Sequence, residues 1–317
     1  VRIDPVLRAL ADDPAPQHAA QTKVLDALLA WRAESPVAGV LAELARYGDG
    51  APLAGCARLA SLMTEPEQAA AFAASLVRAF APVLAAEPLA RMPFRQASQA
   101  GSASLVLGHS GRAMLSLAVR EPGMVAYEGA GFADGERYDM VLAGAGSGAV
   151  VRRGADGAFT RQPIALAPGL GLSLDTTCES VLIETVSRAL VSLRLTRLAE
   201  APRPSREYRL SDGRLMVQAA GDPRASRHEM MLAVLGRMGR SDAAPVLAAM
   251  ASEGCEHVRW QALRECLALD TAAGFRALAA IARDPADALA APAGALHVQL
   301  LNAHPRLADL EAQPCPA

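Results

Sequence analysis

Lysine is all but absent from this chain. Lys23 stands alone among 31 basic residues, the rest being arginine. Alanine, glycine and proline are abundant too, so the arginine preference reads as the coding bias of a GC-rich genome. With 31 basic against 33 acidic residues and a formal charge of −2, no general attraction to nucleic acid or anionic lipid is expected. The five cysteines, Cys56, Cys178, Cys255, Cys266 and Cys315, form no CxxC pair and are odd in number. That excludes a disulfide framework or a zinc module and leaves buried, reduced thiols as the expectation. Residues 1–20 carry charges and prolines instead of an apolar leader core, and no uninterrupted apolar run reaches membrane-spanning length. A cytoplasmic location without membrane association is expected of the chain as read from Val1. The six histidines are scattered: His228-Glu229 lacks the second histidine of a zinc-protease helix, and His257 beside Cys255 needs ligands from elsewhere. No metal and no cofactor are expected.

What is present is ample apolar material. At 317 residues and 52% hydrophobic content the chain can build two or three cores. Composition divides it into three expected domains: a helical region over 1–95, a β domain over 96–222 and a helical domain over 223–317. The fold class expected is α+β. In the first region Val24, Leu28 and Trp31 share a helical face, as do Val37, Val40, Leu41 and Leu44. Phe72, Leu76, Phe80, Val83 and Leu84 make a third stripe, with Thr64 and Glu67 at capping-box spacing before it. These helices form a small bundle or pack on the neighbouring domain.

The middle region changes period. Ala113 to Val119, Arg137 to Leu142, Ala149 to Arg153, Ile164 to Leu166, Gly171 to Leu174, Ser180 to Thr185 and Val191 to Thr196 read as strands. Asp156-Gly157 and Asp212-Gly213 read as hairpin turns. Short strands without intervening helices predict an antiparallel sandwich or barrel. Gly144-Ala145-Gly146-Ser147-Gly148-Ala149 matches the dinucleotide-binding G-x-G-x-x-A pattern, but Val150-Val151-Arg152-Arg153 follows where a helix is required, so a glycine-rich hairpin is expected. Ser110 lies in Gly-His-Ser-Gly-Arg, one residue short of a hydrolase elbow.

Glu136, then Tyr138-Asp139-Met140-Val141-Leu142 and Gly144, followed by Pro168-Gly169 before Leu170 to Leu174, resemble the two conserved motifs of the cupin family of small β-barrels. The stretch 129–134 and the second motif lack the histidines that cupin metal sites use, so the resemblance implies a metal-free barrel. Such a barrel encloses one ligand, and Glu136, Tyr138, Arg152 and Glu184 are the polar groups expected to line its pocket.

The third region repeats itself. Leu247 and Leu278, Met250 and Ile281, Glu253 and Asp284, Val258 and Leu289, Ala262 and Ala293 are each offset by 31 positions. Helices over 243–252, 256–269, 272–283 and onward to Leu301, with an Asp284-Pro285 turn and a Val258-Arg259 pair, resemble HEAT-like repeats. Pro292 is expected to interrupt the last helix, and a plain four- or five-helix bundle is the alternative. Stacked repeats bind partners, and Arg259, Trp260 and Arg264 are the expected contact residues. The interleaved Glu253, Glu256 and Glu265 argue against nucleic acid.

No complete catalytic set is present, which points away from an enzyme. The first expectation is therefore a non-catalytic adaptor or accessory protein that binds another protein through HEAT-like helices. The alternative is a small-molecule binder, or an enzyme, with its pocket in the cupin-like β domain.

Overall fold

The computed structural model describes residues 13–221 and 223–310. Pro314, Cys315, Pro316 and the stretch before Asp13 lie outside the described residues. The chain divides into two compact units, one of residues 1–202 and 207–216 and the other of residues 203–206 and 217–317.

In the first unit the apolar stripes become α1 (Ala15–Ala33), α2 (Ser35–Gly48), α3 (Ala57–Thr64) and α4 (Pro66–Ala86). Trp31 is fully buried, donates its indole N–H to Ser75 Oγ at 2.9 Å and packs on Phe72, Phe80 and Phe94 at centroid distances of 5.8, 6.3 and 5.9 Å. The capping box expected at Thr64 and Glu67 does not form. Thr64 ends α3 and its hydroxyl donates to the Ala60 carbonyl, while α4 opens on Pro66, whose missing N–H is harmless in a first turn. By length and composition α4 is long and apolar enough to cross a membrane; here its Phe72, Leu76 and Phe80 face packs into the core around Trp31.

The strands are β1 (Arg95–Gln99), β2 (Ser102–Ser110), β3 (Ala113–Arg120), β4 (Gly123–Met124), β5 (Gly129–Phe132), β6 (Gly135–Arg153), β7 (Phe159–Leu166), β8 (Gly171–Asp175), β9 (Glu179–Leu198), β10 (Ser205–Arg209) and β11 (Leu215–Ala219). An eight-stranded sheet runs β1-β2-β3-β9-β6-β7, with β4 on β9 and β8 on β6, and a smaller sheet runs β11-β10-β5. Every pairing within the large sheet is antiparallel. The turns at Gly157 and Gly213 take the positive φ that their Asp-Gly pairs anticipate.

Pairing decides which side chains share a face. Leu117 opposes Leu193, Leu115 and Tyr138 oppose Leu195, and Met140 opposes Leu193. All of these pack with Val24, Trp31, Leu44 and Phe72 in one core of helices and sheet. The expected division at residue 95 therefore does not separate two cores. The intervening residues, Arg194 beside Ser116 and Asp139, and Ser192 beside Ala118 and Val141, occupy the opposite face.

β6 and β9 are each one long strand where the sequence pattern reads as two. Gly144 to Ala149 is neither a phosphate loop nor a hairpin but the middle of β6, where the register against β9 shifts repeatedly. A Cβ on Gly146 or Gly148 would lie 2.4 Å from the Thr185 carbonyl oxygen or 2.0 Å from that of Leu182. The glycines are there because two bulged strands approach too closely for a side chain.

The second unit holds α5 (Pro223–Arg237), α6 (Ala244–Met250), α7 (Glu256–Leu269), α8 (Thr271–Arg283) and α9 (Ala290–Ala303). Of the pairs 31 apart, Leu247 and Leu278, Val258 and Leu289, and Ala262 and Ala293 are buried at both positions, whereas Met250 is half-buried where Ile281 is buried. Leu247 and Leu278 belong to different clusters. One joins Leu232, Leu247, Val258, Ala262 and Cys266, the other Leu263, Phe275, Leu278, Ile281 and Ala293. α7 contributes to both, through opposite faces. Pro292 does not interrupt a helix, because α9 begins at Ala290 and places it in the first turn.

The close approach of β6 and β9 is directly testable. Gly148→Val should lower stability by about 2–3 kcal/mol by overpacking, read from urea unfolding. Gly131→Ala, with nothing within 4 Å of the added methyl, should leave the midpoint nearly unchanged.

Candidate functional site

On the sheet face turned away from the helices, β1, β2, β3 and β9 border a cleft of about 280 Å³. Its polar lining is Ser98, Gln99, Ser102, Ser104, Arg120, Ser192 and Arg194, and no described lining residue is Asp, Glu, His or Cys. The strand pairing puts these groups side by side: Ser104 opposes Ala118, Ala118 opposes Ser192, and Arg120 opposes Leu190.

Behind Arg194 sits Asp139, 4% exposed. Its carboxylate accepts from Arg194 Nε at 2.7 Å and from Arg137 Nε at 2.6 Å. Burial pushes the Asp139 carboxyl up, but the Arg194 and Arg137 guanidiniums outweigh it and hold the group below the ordinary carboxylate range. Burial pulls Arg137 down, Asp139 opposes this, and the like charges of Arg194 and Arg120 add to the lowering. Arg120 donates to the Tyr127 hydroxyl at 3.2 Å, and that hydroxyl donates to the Ile183 carbonyl at 3.1 Å. Two guanidiniums thus meet one carboxylate, and a third, Arg120, is held by a phenol instead. Arg120 and Arg194, held by these contacts, are both lining residues of the cleft.

The four residues expected to line a pocket lie elsewhere. Glu136 and Tyr138 come together, the Tyr138 hydroxyl donating to Glu136 Oε2 at 2.9 Å, but on the helix-facing side of β6. There Glu136 pairs with Arg197, which donates to the Tyr47 and Ala51 carbonyls and stacks 4.0 Å from the Tyr47 ring. Burial, then the Glu136 carboxylate, pushes the Tyr47 phenol up. This network ties α2 to the sheet. Arg152 pairs with Glu179 and Glu184 with Arg161, as two separate and largely exposed ion pairs. None of the four lines the cleft. The residues missed, Arg137, Asp139 and Arg194, are the strand neighbours of opposite parity; their signal was a lone carboxylate flanked by arginines across paired strands.

In the helical unit the three expected contact residues separate. Arg259 is buried, donates to the Ala251 carbonyl at 2.9 Å and pairs with Asp287, which fastens α7 to the turn before α9. Trp260 and Arg264 instead line an apolar groove of about 1090 Å³, together with Leu267, Leu296, Leu300 and Leu307. His257 pairs with Glu229 and contacts Gln218, and Cys255 is exposed at the start of α7. Among the described residues no group of three or more His, Cys, Asp or Glu side chains could hold a metal ion.

No family model matches the chain, and no curated protein matches it. Solved structures similar to part of it include a cupin-superfamily sugar phosphate isomerase from Silicibacter pomeroyi, at 14% identity and a TM-score of 0.28 over 40% of this chain and 83% of that one. The capsular polysaccharide assembling protein CapF of Staphylococcus aureus is similar at 11% identity and a TM-score of 0.28, over 34% of this chain and 29% of its own length. The 7S globulin of Momordica charantia is similar at 11% identity and a TM-score of 0.27, over 37% of this chain and 35% of its own length. Likeness at these scores transfers neither substrate nor activity. The antiparallel character of the sheet rests on its own strand pairing.

Asp139→Asn removes the charge that both guanidiniums share and should cost about 3 kcal/mol, read by thermal or urea unfolding. The native carboxyl is depressed, so its contribution is full above the unfolded value of about 3.9 and fades as pH falls through the lower folded value. The variant should therefore lose less stability on acidification than the native chain.

Proposed function

We propose that the first unit is a cupin-like, metal-free binding domain whose cleft takes a small anionic molecule bearing a carboxylate or a phosphate. One observation carries this reading: Arg120 and Arg194 line a concave cleft whose other polar groups are serines and a glutamine. Guanidinium forks match such anions bidentately, and neutral hydroxyls and amides fill the remaining contacts. Asp139 is engaged by Arg137 and Arg194, which leaves the described lining without a free general base. Retention of a ligand, not its turnover, is the chemistry this arrangement supports.

A second reading stays open on a separate observation. Trp260 and Arg264, two of the three residues expected to contact a partner, line an apolar groove. On this reading the second unit is a short HEAT-like array that binds another protein, and the chain is an adaptor.

The first reading is tested by thermal unfolding and calorimetry at low ionic strength with inorganic phosphate and with succinate. Either anion should raise the melting temperature of the native chain and lose its effect as salt is added. Arg120→Gln removes one guanidinium without touching Asp139, and should abolish the rise while keeping the fold. Equal responses from the native and variant chains would reject the cleft as the site.

A further inference from the structure

We infer that the groove of the second unit is a docking site for an amphipathic helix of a partner protein that carries acidic residues beside its apolar stripe. The inference rests on the adaptor reading and gives it a surface and a partner chemistry. The floor is apolar, built by Trp260 from α7, Leu300 from α9 and Leu307 from the 3-10 turn Pro305–Leu310. The edges carry two guanidiniums and an imidazole. Arg264, His304 and Arg306 all border the groove, all three are exposed, and no described lining residue is Asp or Glu.

Arg240 pairs with Asp242 and Arg259 with Asp287, whereas among the described residues Arg264 and Arg306, like Arg237 and Arg276, pair with no carboxylate. A chain with a net charge of −2 has acidic groups to spare, yet this surface goes without them. Unpaired guanidiniums beside half-buried apolar walls are complementary to an acidic amphipathic surface. The groove, about 1090 Å³, lies just above the roughly 300–1,000 Å³ of small-molecule pockets and is open, which suits a helix laid into it by anchors at i, i+3, i+4 and i+7. Trp260 is the natural hot spot, an aromatic flanked by arginine and framed by leucines.

The test uses the full chain and a dye-labelled synthetic helical peptide with leucines at i, i+3, i+4 and i+7 and glutamates elsewhere. A lysine-for-glutamate version, a version with scrambled leucines, and sodium oleate serve as comparators. Trp260 supplies a second signal, because the other tryptophan, Trp31, is fully buried. The leucine–glutamate peptide should bind and shift the Trp260 emission, and both altered peptides should bind far more weakly. Arg264→Glu with Arg306→Glu should weaken the acidic peptide by roughly tenfold or more and strengthen the lysine peptide, with an unchanged circular dichroism spectrum. Failure of the acidic peptide to bind, equal binding of the scrambled one, or indifference to the double substitution would overturn the proposal. So would binding of oleate alone, or binding of the peptide only to a chain ended after Leu310, which would make the chain's own tail the occupant. A partner captured equally by native and doubly substituted chains would sink this surface and leave the adaptor reading standing. Turnover by the purified chain with no partner at all would sink both.

Discussion

A carboxylate clamped between two arginines on paired strands is the constraint from which the first unit's organisation follows. Taking Asp139 out of water costs several kcal/mol, and only the Arg137 and Arg194 guanidiniums make that tolerable. The three residues sit at register positions on β6 and β9 that a slip of one residue would turn to the other face. Asp139 would then enter the core around Trp31 and Met140, where nothing could compensate its charge. The ion pair thus fixes the pairing of the two longest strands, and with it the separation of an apolar helix-side face from a polar, cationic one.

This explains where the sequence was legible. Helical stripes are read from a period set by apolar residues alone, and Val24, Leu28, Trp31, Phe72, Leu76 and Phe80 are buried as their spacing requires. The strand Glu136-Arg137-Tyr138-Asp139 offers no such guide, because all four residues are polar and both parities look alike. Glu136 and Tyr138, the expected ligand groups, serve the helix-side network with Arg197 and Tyr47, while their neighbour Asp139 binds Arg194, which lines the cleft. Parity here is decided by partners far away in sequence, Arg194 above all. The same distance effect hid the continuity of β6 and β9: glycines that look like a turn are adaptations to a neighbouring backbone. β1 and β2 give no strand signal in the sequence because Arg95 to Gln99 and Ser102 to Ser104 have little of the β-branched or aromatic content that marks a strand.

Arginine, so common that it looked uninformative, turns out to divide into distinct uses. Arg197 and Arg259 are internal fasteners that donate to backbone carbonyls as well as to a carboxylate. Arg137 and Arg194 neutralise a buried charge, and Arg120 and Arg264 border open space. Lysine could take few of these places, since the planar fork reaches two acceptors in one orientation. A compositional bias has been turned to structural account residue by residue.

The position of α7 between two hydrophobic clusters has a consequence of its own. Val258, Ala262 and Cys266 face one cluster and Leu263 faces the other, so this helix is shared by two cores. One residue inserted into it would rotate everything downstream by about 100° and present each cluster with side chains meant for neither. An added residue is therefore expected to be tolerated only in the turns of this unit, and α7 acts as the ruler against which the helices on both flanks are aligned.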